Sequence, residues 1–295
     1  MIDRYQLRYF LAVVETGNFS RAAARVNVTQ PTLSVGIAKL ERSIGAELFF
    51  RNSQRVHLTA AGVRFLDHAR AIEREFNAIE AGVAGEAPAR LIRVGLLNTL
   101  PTEFATTMVQ ANARAADPDQ IELVEGSERE LITGLQRRRL DLAVTLIRGG
   151  ASSLPFLSLF EEGYVMAMAD SHKLAGAGEL SGEMLADEVM MVRRHCEALS
   201  DTSRYFTERG VRPRFSHRST NDDRVLALVR AGLGVTVTPE SLRAPGITQV
   251  RLTGFTNRRE IGLIFSEHAT DLQSHGGGVV AAIRQATEAV QSGRP

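Results

Sequence analysis

The chain of 295 residues contains one cysteine. A single thiol excludes an intrachain disulfide framework and suits a reducing compartment. No run of 18 apolar residues occurs, which excludes a helix that spans a membrane. The opening residues, MIDRYQLRYF, are charged early and lack the apolar core of a signal peptide, so a cytoplasmic location is expected. Internal repeats and low-complexity tracts are missing too. No P-loop, dinucleotide fingerprint, nucleophile–base motif or metal-ligand spacing can be read, so neither an enzyme nor a bound cofactor or metal is expected.

Net charge is only +1, which by itself argues against a nucleic-acid partner. Its distribution argues the other way. Residues 1–64 carry nine basic and four acidic side chains, a local balance of +5 that leaves −4 on the other 231 residues. A cationic head on an anionic body fits a phosphate-binding module attached to something else. Length alone suggests two or three domains.

The most informative stretch is Ser20–Arg42, SRAAARVNVTQPTLSVGIAKLER. Ser20–Val26 reads as a short helix capped by Ser20, Asn27–Thr29 as a tight turn, and Gln30–Ile44 as a second helix. Asn27 tolerates the left-handed conformation that such a turn needs. Thr29 is placed to cap the second helix, with Pro31 in the first turn, where its missing N–H costs nothing. Leu33, Ile37, Leu40 and Ile44 form one apolar stripe. The other face carries Pro31, Val35, Lys39 and Arg42, with Gln30, Thr32 and Ser34 around the first turn. Such a pair suits the major groove of DNA, the competing reading being an ordinary helical hairpin in a core.

From Leu7 to Gly62 the chain resembles the N-terminal domain of the LysR-type transcriptional regulators. The matching residues are Leu7–Phe10, Gly17–Ala23, Val28–Leu33, Leu40–Glu41, Leu48–Phe49, Arg51, Val56–Thr59 and Gly62. One departure is Ser34-Val35-Gly36-Ile37, where the family often has Ser-Arg-Gln-Ile. Two base-reading side chains are thereby absent, and Gly36 weakens a helix by up to about 1 kcal/mol relative to Ala. The resemblance implies Ser20, Arg21, Thr29, Gln30, Pro31, Thr32, Ser34, Val35 and Lys39 as residues at the DNA.

Tyr5–Thr16 is an amphipathic helix that completes a three-helix core. Phe49–Leu58 then reads as a hairpin, the wing, with Arg51 and Arg55 flanking its tip within reach of phosphate or minor groove; the alternative is a pair of solvated surface arginines. Thr59 begins a long helix to about Ala84. Phe65, Ala69, Ile72, Phe76, Ile79 and Val83 recur on it at coiled-coil spacing. The resemblance implies that this linker helix pairs two chains; the alternative is packing against the protein's own body.

Domains are accordingly expected at 1–58 (winged helix-turn-helix), 59–84 (linker helix), 85–90 (hinge, from Gly82, Gly85 and Pro88) and 91–295 (effector domain). From Leu91 the pattern alternates between strand and helix: Leu91–Leu97, Leu100–Ala115, Ile121–Glu125, Ser127–Arg139 and Leu142–Ile147, indicating a parallel sheet flanked by helices. Two strands, Phe156–Phe160 and Tyr164–Ala169, flank a crossover at Glu161-Glu162-Gly163. Val189–Arg193, Asp201–Arg209, Arg212–Ser216, Asp223–Ala231 and Val235–Thr238 follow, Ala231-Gly-Leu-Gly-Val being close to what LysR-type effector domains carry. Arg259–Phe265 returns the chain to the first subdomain, and a final helix covers Leu272–Gln291. Subdomain I is placed at about 91–161 and 266–295, subdomain II at about 162–265.

The expected fold is therefore an α+β multidomain chain. A winged helix-turn-helix and a long linker helix precede an α/β, periplasmic-binding-protein-like effector domain of two subdomains. Ligands of such sheets bind beyond the strand ends, at helix N-termini. Asn98, Thr99, Ser127, Thr145 and Arg148 supply those positions from one side, and Arg193, Cys196, Thr202, Thr220 and Asn221 from the other. Hydroxyls, helix dipoles and two arginines point to an anionic effector such as a small carboxylate, with plain N-capping the alternative for each hydroxyl. Cys196 follows Arg193-Arg194-His195, cations that would lower a thiol pKa. Peroxide-sensing LysR-type proteins have a similar His-Cys setting but use a second cysteine, so a disulfide switch within this chain is excluded. A thiol-responsive regulator acting through Cys196 by a sulfenic acid, a mixed disulfide or a thiol contact to the effector is the alternative, and a cysteine lining the cleft without redox duty is preferred.

The sequence thus reads as a transcription regulator whose partners are double-stranded promoter DNA, a small-molecule effector, RNA polymerase and further copies of itself in a homodimer or homotetramer. A periplasmic-type solute-binding protein and a structural nucleoid protein are the rivals. The basic head and absent signal peptide oppose the first; sequence-independent binding untouched by small molecules would favour the second.

Overall fold

The computed structural model describes residues 2–50, 56–83, 91–148, 154–275 and 278–293. The chain divides into two units, Met1–Arg90 and Leu91–Pro295. Arg51, Arg55 and the expected hinge at 85–90 lie outside the described residues.

The first unit opens with α1 (Arg4–Thr16), α2 (Phe19–Arg25) and α3 (Gln30–Ile44). Asp3 caps α1 through a reciprocal box: its carboxylate accepts from Gln6 N at 2.9 Å, and Gln6 Oε1 accepts from Asp3 N at 3.4 Å. The cap of α2 is Asn18 and not Ser20; Asn18 Oδ1 accepts from the N–H groups of both Ser20 and Arg21. Its amide reaches back over the first turn while Phe19 is already helical, which shifts the helix start one residue earlier than expected. Asn27 makes the turn at φ +57°. Thr29 caps α3, accepting from Thr32 N at 3.3 Å, with Pro31 in the first turn.

Leu7, Phe10, Val13, Ala22, Leu33, Ile37 and Leu40 fill the core between these helices. Buried Glu41 then fixes the start of the wing, its Oε1 accepting from Leu48 N at 2.7 Å and Phe49 N at 3.4 Å. The wing strands, β1 (Phe49–Phe50) and β2 (His57–Leu58), pair antiparallel. Thr59 precedes α4 (Ala60–Val83) and caps it, its hydroxyl accepting from Gly62 N at 3.0 Å. Gly62 permits the close approach here, since a Cβ would lie 2.1 Å from the carbonyl oxygen of Leu48.

The expected seam along α4 is divided in two. Phe65 packs edge-on against Phe10 at 5.0 Å, and Ala69 is fully buried in the head's own core, so these two residues belong to the domain and not to a free face. Ile72, Phe76 and Ile79 are exposed by 41%, 38% and 61%. Arg4 covers the Phe76 ring at 4.8 Å and pairs with Glu73 at 3.2 Å, tying α1 to the second half of the helix. The side chain of Val83 is outside the described residues.

In the second unit, β3 (Leu91–Leu97), α5 (Thr102–Ala113), β4 (Gln120–Gly126), α6 (Glu128–Gln136) and β5 (Leu142–Leu146) form the first subdomain. Strand β3 runs parallel to β4 and β5. The crossover that was expected between two strands is instead one strand, β6 (Phe156–Ala169). Glu161 and Glu162 stay extended because β12 (Arg258–Phe265) pairs with them antiparallel, Arg259 opposite Glu162 and Glu260 opposite Glu161.

The second subdomain contains β7 (Glu179–Leu180), β8 (Val189–Arg193), α7 (Leu199–Glu208), β9 (Arg214–Ser219), α8 (Asp222–Arg230), β10 (Thr236–Pro239) and β11 (Ile247–Leu252). Strands β10 and β11 pair antiparallel with the far half of β6, and β8 pairs parallel with β9. β7 and β11 were not foreseen. The return boundary also moves: Ile261, Leu263, Ile264 and Phe265 are buried in the first core beside β5, so subdomain II ends near Arg258 and not at 265. α9 (Thr270–His275) and α10 (Gly278–Ser292) replace the single expected terminal helix. Asp119 accepts from Val279 N at 2.8 Å, a partner that fixes a fresh start for α10.

Candidate functional site

In the head, the residues expected at DNA lie on the surface of α2 and α3. Ser20, Arg21, Thr29, Gln30, Pro31, Thr32 and Lys39 are exposed, Ser34 is half-buried, and Val35 is 64% exposed. Gln30 Nε2 donates to Ser34 Oγ at 2.9 Å, and the hydroxyls of Thr29 and Thr32 are 2.8 Å apart, so their polar groups engage one another along one edge. Arg21 donates to the carbonyl of Thr16 at 2.9 Å. Gly36 has a positive reason. A Cβ there would meet the Tyr9 ring at 2.6 and 2.8 Å, so a side chain at 36 would push α3 off α1.

In the second unit the two subdomains meet over a buried charge cluster. Arg259 is 4% exposed and carries a carboxylate on each side. Its Nε donates to Glu162 Oε1 at 2.8 Å and its Nη1 to Glu197 Oε1 at 2.5 Å. Nη1 also donates to Thr99 Oγ1 at 2.8 Å, while Thr99 Oγ1 lies 3.0 Å from Glu197 Oε2 and Tyr164 OH donates to Glu197 Oε1 at 2.9 Å. Glu162 is further held by the N–H and hydroxyl of Ser241, at 2.6 and 2.9 Å. Burial is the strongest influence on Glu197 and disfavours its charged form, but the charge and hydrogen bond of Arg259, a backbone hydrogen bond and the Tyr164 hydroxyl together hold the carboxyl below its ordinary range. Burial together with Glu197 pushes the Tyr164 hydroxyl far above its usual value, so it stays a donor.

Arg259, Glu162 and Tyr164 were not singled out from the sequence as site residues, and Glu197 entered only as the end of the cleft stretch Arg193–Glu197. The only signal was the Glu161-Glu162 pair at the crossover and Arg258-Arg259 on the return. Their partnership depends on a register that links positions 97 residues apart.

The expected cleft residues separate into three groups. Asn98, Thr220 and Asn221 line a cavity of about 340 Å³ with Thr102, Asp222, Asp223 and Glu125. Thr102 donates to Asp223 Oδ2 at 3.0 Å across it, joining the first turns of α5 and α8. Arg148 lines a smaller recess of about 150 Å³ with Tyr164, Glu197 and Arg259, beside Thr99 of the charge cluster. Ser127 and Thr145 line neither. Ser127 is occupied as the cap of α6 with Glu130, and Thr145 is wholly buried, its hydroxyl without a partner among the described residues.

The two arginines on which an anion site was premised are not free charges. Arg193 is buried and ion-paired with Asp222, and its Nη1 donates to the carbonyl of Val237 at 3.3 Å. Burial would lower its pKa, yet Asp222 more than compensates. Arg148 is paired with Glu128 at 2.8 Å. Thr202 does not cap α7: it sits inside the helix and donates to Ala198 O at 2.8 Å. Cys196 and Thr202 line a different cavity, inside subdomain II. Burial pushes the Cys196 thiol pKa up, outweighing Arg193, which reverses the expectation of a lowered value. No cluster of three metal-ligating side chains occurs among the described residues, and no helix there is long and apolar enough to cross a membrane.

Comparison with known proteins bears on both units. Residues 5–63 match the family described as bacterial regulatory helix-turn-helix protein, lysR family, and residues 85–273 match the LysR substrate binding domain. The chain belongs to the LysR family. A probable hydrogen peroxide-inducible genes activator of Mycobacterium avium is 30% identical over 269 residues, covering 88% of this chain and 86% of that one. The regulator IlvR of Caulobacter vibrioides is 30% identical over 288 residues, covering 92% and 95%. Among solved structures, a full-length OxyR variant from Pseudomonas aeruginosa aligns with a TM-score of 0.69 at 22% identity, over 96% of this chain and 95% of that one. CbnR complexed with its target DNA aligns at 0.66 and 22%, over 97% and 100%. At that identity the two structures share the fold. As a LysR-type transcriptional regulator, the chain pairs a DNA-binding head with an effector-binding domain.

Proposed function

We propose that this LysR-type regulator reads a two-fold promoter site through the exposed edge of α3 and the wing, and that a small carboxylate controls it from the cleft. Gln30, Thr32, Ser34 and Val35 read base edges, Val35 by apolar contact with a thymine methyl where an arginine would have read guanine. Lys39, Arg51 and Arg55 hold phosphates. Ile72, Phe76 and Ile79 join two chains along α4, in a homodimer or homotetramer that presents paired heads and engages RNA polymerase.

The observation that carries the effector reading is the pairing of Glu197 with Arg259 and Thr99. With Arg148 and Arg193 already neutralised, an anion has one route into the cluster: it takes the place of the Glu197 carboxylate on Arg259 Nη1 and Thr99 Oγ1. Such exchange favours one subdomain arrangement over the other, and so shifts a population rather than creating a state.

The test is binding to the intergenic DNA upstream of the protein's own gene and to scrambled DNA of equal length, across a salt series. Sequence-dependent binding that Thr32→Ala weakens is expected; equal affinity for every DNA, with a genome-wide map showing no enriched sites, would overturn the reading. A panel of small carboxylates then tests the cleft by thermal shift, and Glu197→Gln is expected to change the response.

A second reading is favoured by the peroxide-inducible relatives and by His195-Cys196. Peroxide would oxidise the Cys196 thiolate to a sulfenic acid, the sulfur taking one peroxide oxygen and the other leaving as hydroxide. The raised thiol pKa opposes it. Sulfenic-acid trapping after brief peroxide exposure is expected to label little of the protein.

A further inference from the structure

Helix α7 does not close down on the strands beneath it. Between it and β8, β9 and β10 lies a cavity of about 430 Å³, larger than the polar cleft cavity. A solvent-open recess of this size between a helix and a sheet falls in the range of small-molecule sites, about 300–1,000 Å³. Met190, Met191, Leu199, Phe206, Val211 and Val237 supply its wall.

The threonines and Arg193 on that wall are already committed elsewhere, and Ser203 stands exposed at its rim. The hydroxyls of Thr202, Thr207 and Thr236 donate to the carbonyls of Ala198, Ser203 and Met191, leaving their methyl groups to the chamber. Arg193 is paired with Asp222. One charge stands apart. Arg212 lines the chamber, is exposed, and has no ion-pair partner among the described residues. The Cys196 thiol, which the cleft does not use, lines the same space.

We propose that this chamber binds a medium-chain monocarboxylic acid, its hydrocarbon tail against the methionine and phenylalanine side chains and its carboxylate on Arg212. The apolar wall requires an apolar body, and the one unpaired cation fixes the sign of the head group. Met190, which packs with Phe206, Val211 and Val237, suits a flexible tail, because a thioether side chain adapts to an irregular contact surface. The site is distinct from the polar cleft, and the proposal stands whether or not a carboxylate acts there.

The experiment titrates the full chain with hexanoate, octanoate and decanoate by calorimetry, and follows maleimide labelling of Cys196 with and without decanoate. One acid per chain is expected, with affinity rising up to about fifteenfold for each two methylenes. Saturating decanoate is expected to slow labelling at least fivefold. Arg212→Gln should weaken decanoate about tenfold and leave decanol unchanged. Ser203→Trp, at an exposed position on the rim, should block both ligands without unfolding the protein. Thr102→Val, in the polar cleft, should alter neither. Unchanged labelling, equal decanoate affinity in Arg212→Gln, or loss of binding in Thr102→Val would each overturn the proposal.

Discussion

Along α3 of the head, Gln30, Thr32, Val35 and Lys39 stand in solvent, while in the effector domain Arg193 and Arg259 are 2% and 4% exposed and meet carboxylates at once. Both regions were expected to bind through their polar side chains. In the head those side chains project outward from a surface that the helix period defines, and any strong partner must come from another molecule. In the effector domain the same kinds of group are buried, Arg259 between the two subdomains and Arg193 inside the second, and the chain supplies their partners itself. Exposed polar residues are offered to a ligand; buried ones must be taken from one.

The contrast is broken most severely at Arg259. Arg259→Ala would leave Glu162 and Glu197 buried without their cation and is expected to cost about 3–5 kcal/mol, measured by urea denaturation. A loss below 1 kcal/mol would mean that the cluster is solvated and the contrast false. Next comes the divided helix: Phe65→Ala should destabilise the head by about 2 kcal/mol through lost core packing. Ile79→Asp should leave the head's stability nearly intact and lower the oligomeric state by sedimentation.

Gly36→Ala sharpens the comparison within α3. Helix propensity alone predicts a gain of about 1 kcal/mol; overlap with Tyr9 predicts a net loss of about 1–2 kcal/mol, relieved when Tyr9→Ala is added. A pH effect follows in size. The Glu197 carboxyl is held below its ordinary value, so the unfolded chain takes up its proton first as pH falls. The stabilisation is complete above the unfolded value near 4.5 and is lost as pH drops through the lower folded value. Glu197→Gln should flatten that acid limb in denaturation measured between pH 3 and 6. The smallest effect is Val35→Ala, expected to cost a few-fold in affinity and only at sites with thymine opposite that side chain.

Much of the head could be read from the sequence because its signals are local. The stripe from Leu33 to Ile44, the Thr29 cap and the left-handed Asn27 all act within a few residues of one another. Ser20 was mistaken for a cap because Asn18, two residues upstream, has the better acceptor. Strands β3 and β8 were placed to the residue for similar reasons. The effector site was less legible. Arg193 looked like an anion ligand until Asp222, 29 residues on, was brought to it, and Arg259 had no visible role until β12 paired with β6. The long strand β6 itself was read as two, since Glu161-Glu162-Gly163 resembles a turn when its antiparallel neighbour is out of sight. On α4 the heptad spacing was right, but spacing does not say whether a seam faces another chain or the same one.

The anchoring of α4 by Phe65 and Ala69 makes the helix a lever arm. It is 24 residues long, about 36 Å from end to end. Because its first turns are set in the head's core, head and helix turn together. A tilt of about 10° about the distal end carries the DNA-reading surface sideways by about 6 Å, close to two base-pair rises. A small tilt of the helix is thus magnified at the far surface of the head.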